Sequence, residues 1–87
     1  MSTVAPPTTL LLVGLSPLPD ILLPLASRPG TVVIFYGEGV NAPWKGESHF
    51  YYLESDVLGR GRSTFSQCID EGEVARRLLL AERVLTF

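Results

Sequence analysis

Apolar residues in this chain come in short bursts separated by glycine, proline and acidic breaks, and the period inside each burst decides what it builds. Thr8 to Val13 (TTLLLV) is an unbroken apolar run closed by Gly14, the pattern of a strand buried on both faces. Ser16-Pro17 then reads as a helix start, with Ser16 as cap and Pro17 in the first turn, where a missing N–H costs little. Ile21, Leu22 and Leu25 come next at helical spacing, and Pro24 within them should shorten or kink the helix. After the Arg28-Pro29-Gly30 turn, Thr31 to Tyr36 (TVVIFY) is β-branched and aromatic throughout, the composition of a central strand.

Gly37-Glu38-Gly39 ends that strand, and Val40 to Gly46 holds too much proline and glycine for more than one helical turn. Ser48 to Leu53 (SHFYYL) predicts a third strand, Glu54-Ser55-Asp56 a short helix closing at Gly59-Arg60-Gly61, and Phe65 to Ile69 a short fourth strand. Asp70 and Glu73 have the spacing of a capping box, in which Asp70 accepts from the Glu73 amide and Glu73 reaches back. A helix over Glu71 to Leu80 is expected after it, with Val74, Leu78 and Leu79 toward the sheet and the Glu73/Arg77 pair on the exposed side. Glu82 to Phe87 supplies a fifth strand.

Strands alternating with helical segments across short turns predict parallel pairing through right-handed crossovers. The fold class expected is therefore α/β: a small doubly wound, mostly parallel five-stranded sheet with helices on both faces. Residues 8–87 form the single domain, and Met1 to Pro7 (MSTVAPP) reads as a loose tail. In such sheets function gathers at the carboxyl ends of the strands, here Gly14 to Ser16, Gly37 to Val40, Glu54 to Asp56 and Asp70.

Composition narrows the function classes. A net charge of −2 and seven basic residues without a clustered run supply no electrostatic footprint for nucleic acid or an anionic membrane. Prolines 17, 19 and 24 and Asp20 interrupt the apolar stretch from Leu10 to Ala26, which argues against a leader or a span. One cysteine, Cys68, and one histidine, His49, make neither an internal disulfide nor a metal site at a usual ligand spacing, so a reducing cytoplasm and no metal or other cofactor are expected.

The candidates for chemistry lie on that rim or beside it. Gly37, Glu38, Gly39 and Val40 come after a strand as a phosphate loop would, but the run lacks the full glycine pattern and a lysine, and glycines at a strand exit more often supply positive φ. Glu54 and Asp56 are paired acids able to do acid/base work or hold Mg²⁺, or simply helix-start carboxylates facing the macrodipole. Arg60 and Arg62, in GRGR, can meet a phosphate or a partner's acids. Cys68 is a weak thiol candidate, since a strand-interior cysteine is usually inert. Trp44, Phe50, Tyr51 and Tyr52 concentrate aromatic surface of the kind enriched at subunit interfaces.

The order of these pieces resembles the DsrE/DsrF/DsrH group of small sulfur-relay proteins, and most of all its DsrH (TusB) branch, from Leu10 to Phe87. The residues that carry the likeness are Ser16-Pro17 after the first strand, Leu22-Leu23 in the first helix, Glu38-Gly39-Val40 after the second strand, and YYLESDVLGRG, an acidic strand end leading to Arg60-Gly61. The resemblance implies a flavodoxin-like α/β fold, and subunits that assemble with DsrE- and DsrF-like chains to pass persulfide sulfur toward tRNA thiolation or sulfur oxidation. The family's carrier cysteine would fall near Leu53, or in the first helix at Ile21 to Leu25, and neither place has a thiol. The expected role is thus a non-catalytic subunit with no bound cofactor, associating with such chains or with itself. A thiol carrier using Cys68 and a small-molecule or nucleotide-binding domain are the alternatives.

Overall fold

The strand sequences set the architecture, and the computed structural model, which describes residues 8–87, arranges them in one sheet. The strands are β1 (Thr9–Val13), β2 (Thr31–Phe35), β3 (Phe50–Leu53), β4 (Cys68–Ile69) and β5 (Arg83–Thr86), in the order β4-β3-β2-β1-β5. Every pairing is parallel, with Leu11 opposite Val33 and Leu85, and Phe35 opposite Tyr52. The domain is thus a small α/β unit, flavodoxin-like in class, with the chain's one reversal falling after β4 rather than after the second strand. The β-branched and aromatic run Thr31–Phe35 is its central strand, as its composition predicts. Residues 1–7, read from the sequence as a tail, lie outside the described residues.

Strand alternation divides the side chains between two faces. Leu11, Val13, Val33, Phe35, Phe50 and Tyr52 point to one face and form the main core with Ala26, Val40, Ala42 and Val57. Those last four come from the segments that connect β1 to β2, β2 to β3 and β3 to β4, among them the helices α1 (Leu23–Ala26) and α2 (Glu54–Gly59). The steps β1 to β2 to β3 to β4 all run in one direction, so right-handed crossovers put every one of these segments on the same side. Among the described residues only α3 (Glu71–Leu80), in the reversed step from β4 to β5, crosses the other face, above Leu10, Val32 and Ile34.

Three local readings of the sequence need correction, the simplest being Leu79, expected toward the sheet but 87% exposed on α3. The first helix does not start at Ser16-Pro17, which sits in a bend with a cis peptide bond; a 3-10 turn begins at Asp20 and passes into α1. Pro19 disfavours a helical Leu18, and Pro24 divides the stretch from Asp20 to Ala26 into two single turns. Leu22 and Ala26 are buried, whereas Ile21, expected on the inner side, is 85% exposed. The capping box is half made: Asp70 Oδ1 accepts from the Glu73 amide at 2.8 Å, but the Glu73 carboxylate turns to Arg76 and Arg77 instead of reaching back. Arg77 is drawn in over the Tyr51 ring, 4.1 Å from its centroid, so the Glu73/Arg77 pair flanks the sheet face and is not free in solvent.

Candidate functional site

The carboxyl rim gathers the residues singled out from the sequence, and its construction begins with glycine. Gly37 takes φ 51°, which lets the chain turn sharply out of β2 into a 3-10 segment, Gly37–Asn41. Gly39 is needed for a different reason: a Cβ there would overlap the carbonyl oxygen of Val13 at the end of β1. The segment can therefore lie directly on the end of the sheet. That close approach drops Val40 into the core, fully buried, so it lends its side chain to packing and not to an outer surface.

The amide at Gly37 that a phosphate loop would aim at an anion already has one. Asp56, projecting from α2, accepts from the Gly37 N–H through Oδ2 at 2.7 Å. A bound phosphate at this amide would have to displace that carboxylate. Around this contact the other rim motifs interlock. Arg60 approaches Glu38 at 3.5 Å, and Arg62 Nη1 donates to the Val40 carbonyl at 2.7 Å. Ser55 Oγ donates to Glu71 at 2.8 Å, joining the start of α2 to the start of α3. Glu54 stands half-buried at the first position of α2, where its charge meets the positive end of that helix. Asp70 is occupied as the cap of α3.

The aromatic residues separate into packed and exposed sets. Phe35 stacks on Tyr52 with centroids 4.9 Å apart and meets Phe50 edge-on at 5.3 Å. Tyr52 in turn contacts Phe65 at 5.1 Å, and Phe65 stacks beneath Trp44 at 5.7 Å. Phe50 and Tyr52 are thus spent within the domain, and Tyr51 lies under Arg77. Trp44 remains partly exposed, its indole N–H held by the Glu47 carbonyl at 2.8 Å. His49, the single imidazole, bonds the Ala26 carbonyl at 2.9 Å and so straps the approach to β3 onto the end of α1.

Cys68 is half-buried in β4, packed against the core, and its sulfur accepts weakly from the Phe65 amide at 3.5 Å. Beside it in register stands Tyr52, whose fully buried hydroxyl has no hydrogen-bond partner among the described residues. Burial pushes the Tyr52 phenol up to about 12; the Glu47 carboxylate adds to this, Arg62 opposes it and Cys68 contributes least. No pattern in the sequence marks that orphan hydroxyl, because it depends on which residues surround the ring in space. Arg62, by contrast, is visible in GRGR, and only its partner, a carbonyl, is not.

On the opposite face, a hollow of about 200 Å³ lies under α3, lined by Leu12, Ile34, Tyr36, Leu53, Val74 and Thr86. Its walls are almost wholly apolar, and it is smaller than the roughly 300 Å³ at which ligand pockets usually begin. It suits a small aliphatic group better than a nucleotide. Among the described residues no three His, Cys, Asp or Glu side chains come close enough to hold a metal ion, and no helix is long and apolar enough to cross a membrane. Compared with family models, with curated proteins and with solved structures, the chain finds no match.

Proposed function

We propose that this chain is a non-catalytic, DsrH-like subunit or accessory protein of an intracellular sulfur-relay assembly, one that supports persulfide transfer toward tRNA thiolation or sulfur oxidation without carrying the sulfur itself. The observation that best supports this reading is the mutual bonding of the rim motifs. Three of the motifs behind the resemblance, beside Ser16-Pro17 and Leu22-Leu23, are the turn after β2, the acidic opening of α2 and the Arg60-Gly61 pair. They hold one another through Asp56 to Gly37 and Arg60 to Glu38, with Arg62 to Val40 beside them. Bonds of this kind hold the rim's groups in place before any partner arrives, which lowers the ordering cost of docking between subunits. Trp44, exposed where it stacks on Phe65 ahead of β4, adds a separate aromatic anchor for partners such as DsrE- and DsrF-like chains.

Cys68, half-buried in β4 with its sulfur accepting from the Phe65 amide, is the thiol on which the second reading, a sulfur carrier, rests. The two separate in one experiment. The tagged full chain is purified from its native host, and the isolated protein is then incubated with a low-molecular-weight persulfide donor and weighed by mass spectrometry. DsrE- and DsrF-like chains should co-purify, and Cys68 should gain no sulfur atom. Stable sulfur on Cys68, lost in Cys68→Ser, replaces the first reading with the second. Absence of such chains together with a rise in melting temperature across a nucleotide panel would move the function to ligand binding instead.

A further inference from the structure

The two edges of the sheet differ sharply. One is β4, only two residues long and therefore a poor template for a further strand. The other is β5, whose burial pattern is exposed at three of four positions and whose centre carries none of the proline, bulge or charge that usually defends an open edge.

Hydrogen bonding to β1 fixes which groups of β5 face outward. The Phe87 amide donates to the Leu12 carbonyl at 2.8 Å, and the Phe87 carbonyl accepts from Gly14 at 2.9 Å. The Arg83 amide likewise donates to the Thr8 carbonyl at 3.2 Å. In a parallel ladder such residues alternate, so positions 83, 85 and 87 bond inward while Val84 and Thr86 turn both their N–H and C=O groups to the outside. Two outward-bonding residues flanking one inward-bonding residue is a self-complementary arrangement.

From this we infer that a second copy of this chain pairs with β5, antiparallel, across a two-fold axis at Leu85. In that register Val84 of one copy exchanges two hydrogen bonds with Thr86 of the other, and the symmetry repeats the exchange, for a total of four. The two sheets become one ten-stranded sheet. Charge placement favours this occupant and this register. Arg83, the only charged residue of the strand, comes opposite the other copy's Phe87, whose ring is 38% exposed and takes a cation well. The two Arg83 side chains end up about four residues, or ~13 Å, apart along the strands, beyond the range over which salt leaves like charges interacting.

Area sets the expected strength. A standard interface takes roughly 800 Å² from each partner, more than a four-residue edge alone provides. Val84, 41% exposed on the face crossed by α3, adds apolar surface at the junction, and Leu79 and Leu80 stand exposed on the helix of that same face. The association is consequently one that dilution dissociates, and it requires no sulfur chemistry.

The test uses the full chain in two measurements. Sedimentation across a concentration series should show the mass rising from 9.5 kDa to twice that value. Val84→Pro removes an outward N–H without touching the bonds to β1, and Thr86→Lys places a charge on the open edge. Both should keep the circular dichroism of the parent and remain at the lower mass; if the proline variant does not fold, the lysine variant carries the comparison. Hydrogen exchange at Val84 and Thr86 should slow as concentration rises. Fast exchange at every concentration overturns the inference. So does slow exchange that dilution does not alter, which would mean that the edge is covered by the chain's own residues 1–7. A dimer that survives both variants also overturns it.

Discussion

Replacing Tyr52 by phenylalanine should stabilise this domain, although it deletes a polar group from a fully buried tyrosine. The hydroxyl has no partner among the described residues, and its ring is clamped between Phe35 and Phe65, so it cannot turn to find one. An unsatisfied buried hydroxyl costs ~1–3 kcal/mol of desolvation, and phenylalanine preserves the ring's shape and stacking. After allowing for the dispersion contacts of the lost oxygen, the net gain is about 1 kcal/mol, which for a domain of this size raises the melting temperature by roughly 4–8 °C. Alkali supplies an independent check. The unfolded phenol ionises at 10.0 and the folded one at about 12, so the contribution is fully present below pH 10 and is lost as pH rises toward 12. Two pKa units correspond to ~2–3 kcal/mol, so the parent protein should shed that much between these limits and Tyr52→Phe should not. Denaturant unfolding at neutral and at alkaline pH, with tyrosinate absorbance followed in both proteins, measures each part. A variant less stable than the parent at neutral pH by about 1 kcal/mol or more would refute the reasoning, because the hydroxyl must then be bonded, for instance to a buried water.

The two rim glycines should respond differently to alanine. Gly37→Ala meets no neighbouring atom and costs only its left-handed φ, about 1 kcal/mol, whereas Gly39→Ala strikes the Val13 carbonyl and should cost about 3 kcal/mol in urea unfolding. Asp56→Ala leaves the Gly37 amide without its acceptor and should lower stability by ~2 kcal/mol, with Asp56→Asn recovering most of the loss; equal losses in both variants would show that the bond is not what matters. Arg76, through its hydrogen bonds, holds the Glu73 carboxyl below its ordinary value of 4.5, with Arg77 adding attraction. Since the folded value is the lower one, the pair's contribution is present above pH 4.5 and disappears as pH falls through the folded value. Helical circular dichroism of the parent should therefore decline faster in acid than that of Glu73→Gln.

Local chemistry explains which parts of this fold can be read directly from the residues. Helix α3 runs from Glu71 to Leu80 as the capping aspartate and the acidic first turn predict, and β2 is central because five consecutive β-branched or aromatic residues suit no exposed position. The start of α1 is less legible because two rules compete there. Ser16-Pro17 is a good helix opening taken alone, but Pro19 overrides it two residues later. The candidate site is legible as a set of residues and not as a set of bonds. Gly37, Glu38, Asp56 and Arg60 do come together on one rim, yet nothing in their spacing says that Asp56 fills the Gly37 amide, a contact between positions nineteen residues apart.

Topology also assigns the work of the two faces, and it explains why surface is left over. Three successive crossovers in one direction bring their connecting segments to a single face, which gains a closed core of Val40, Ala42, Val57 and their neighbours. Among the described residues the opposite face receives α3 alone. A helix with its side chains is ~10–12 Å wide and strands lie ~4.8 Å apart, so one helix shields little more than two of five strands. Leu10 and Ile34 beneath it are almost completely buried, while Val84, one strand further out, is not. A hollow under the helix and an undefended β5 edge result from the same shortage of cover. Among the described residues no second helix finishes the reverse face, and the proposed pairing at β5 would supply part of that missing cover.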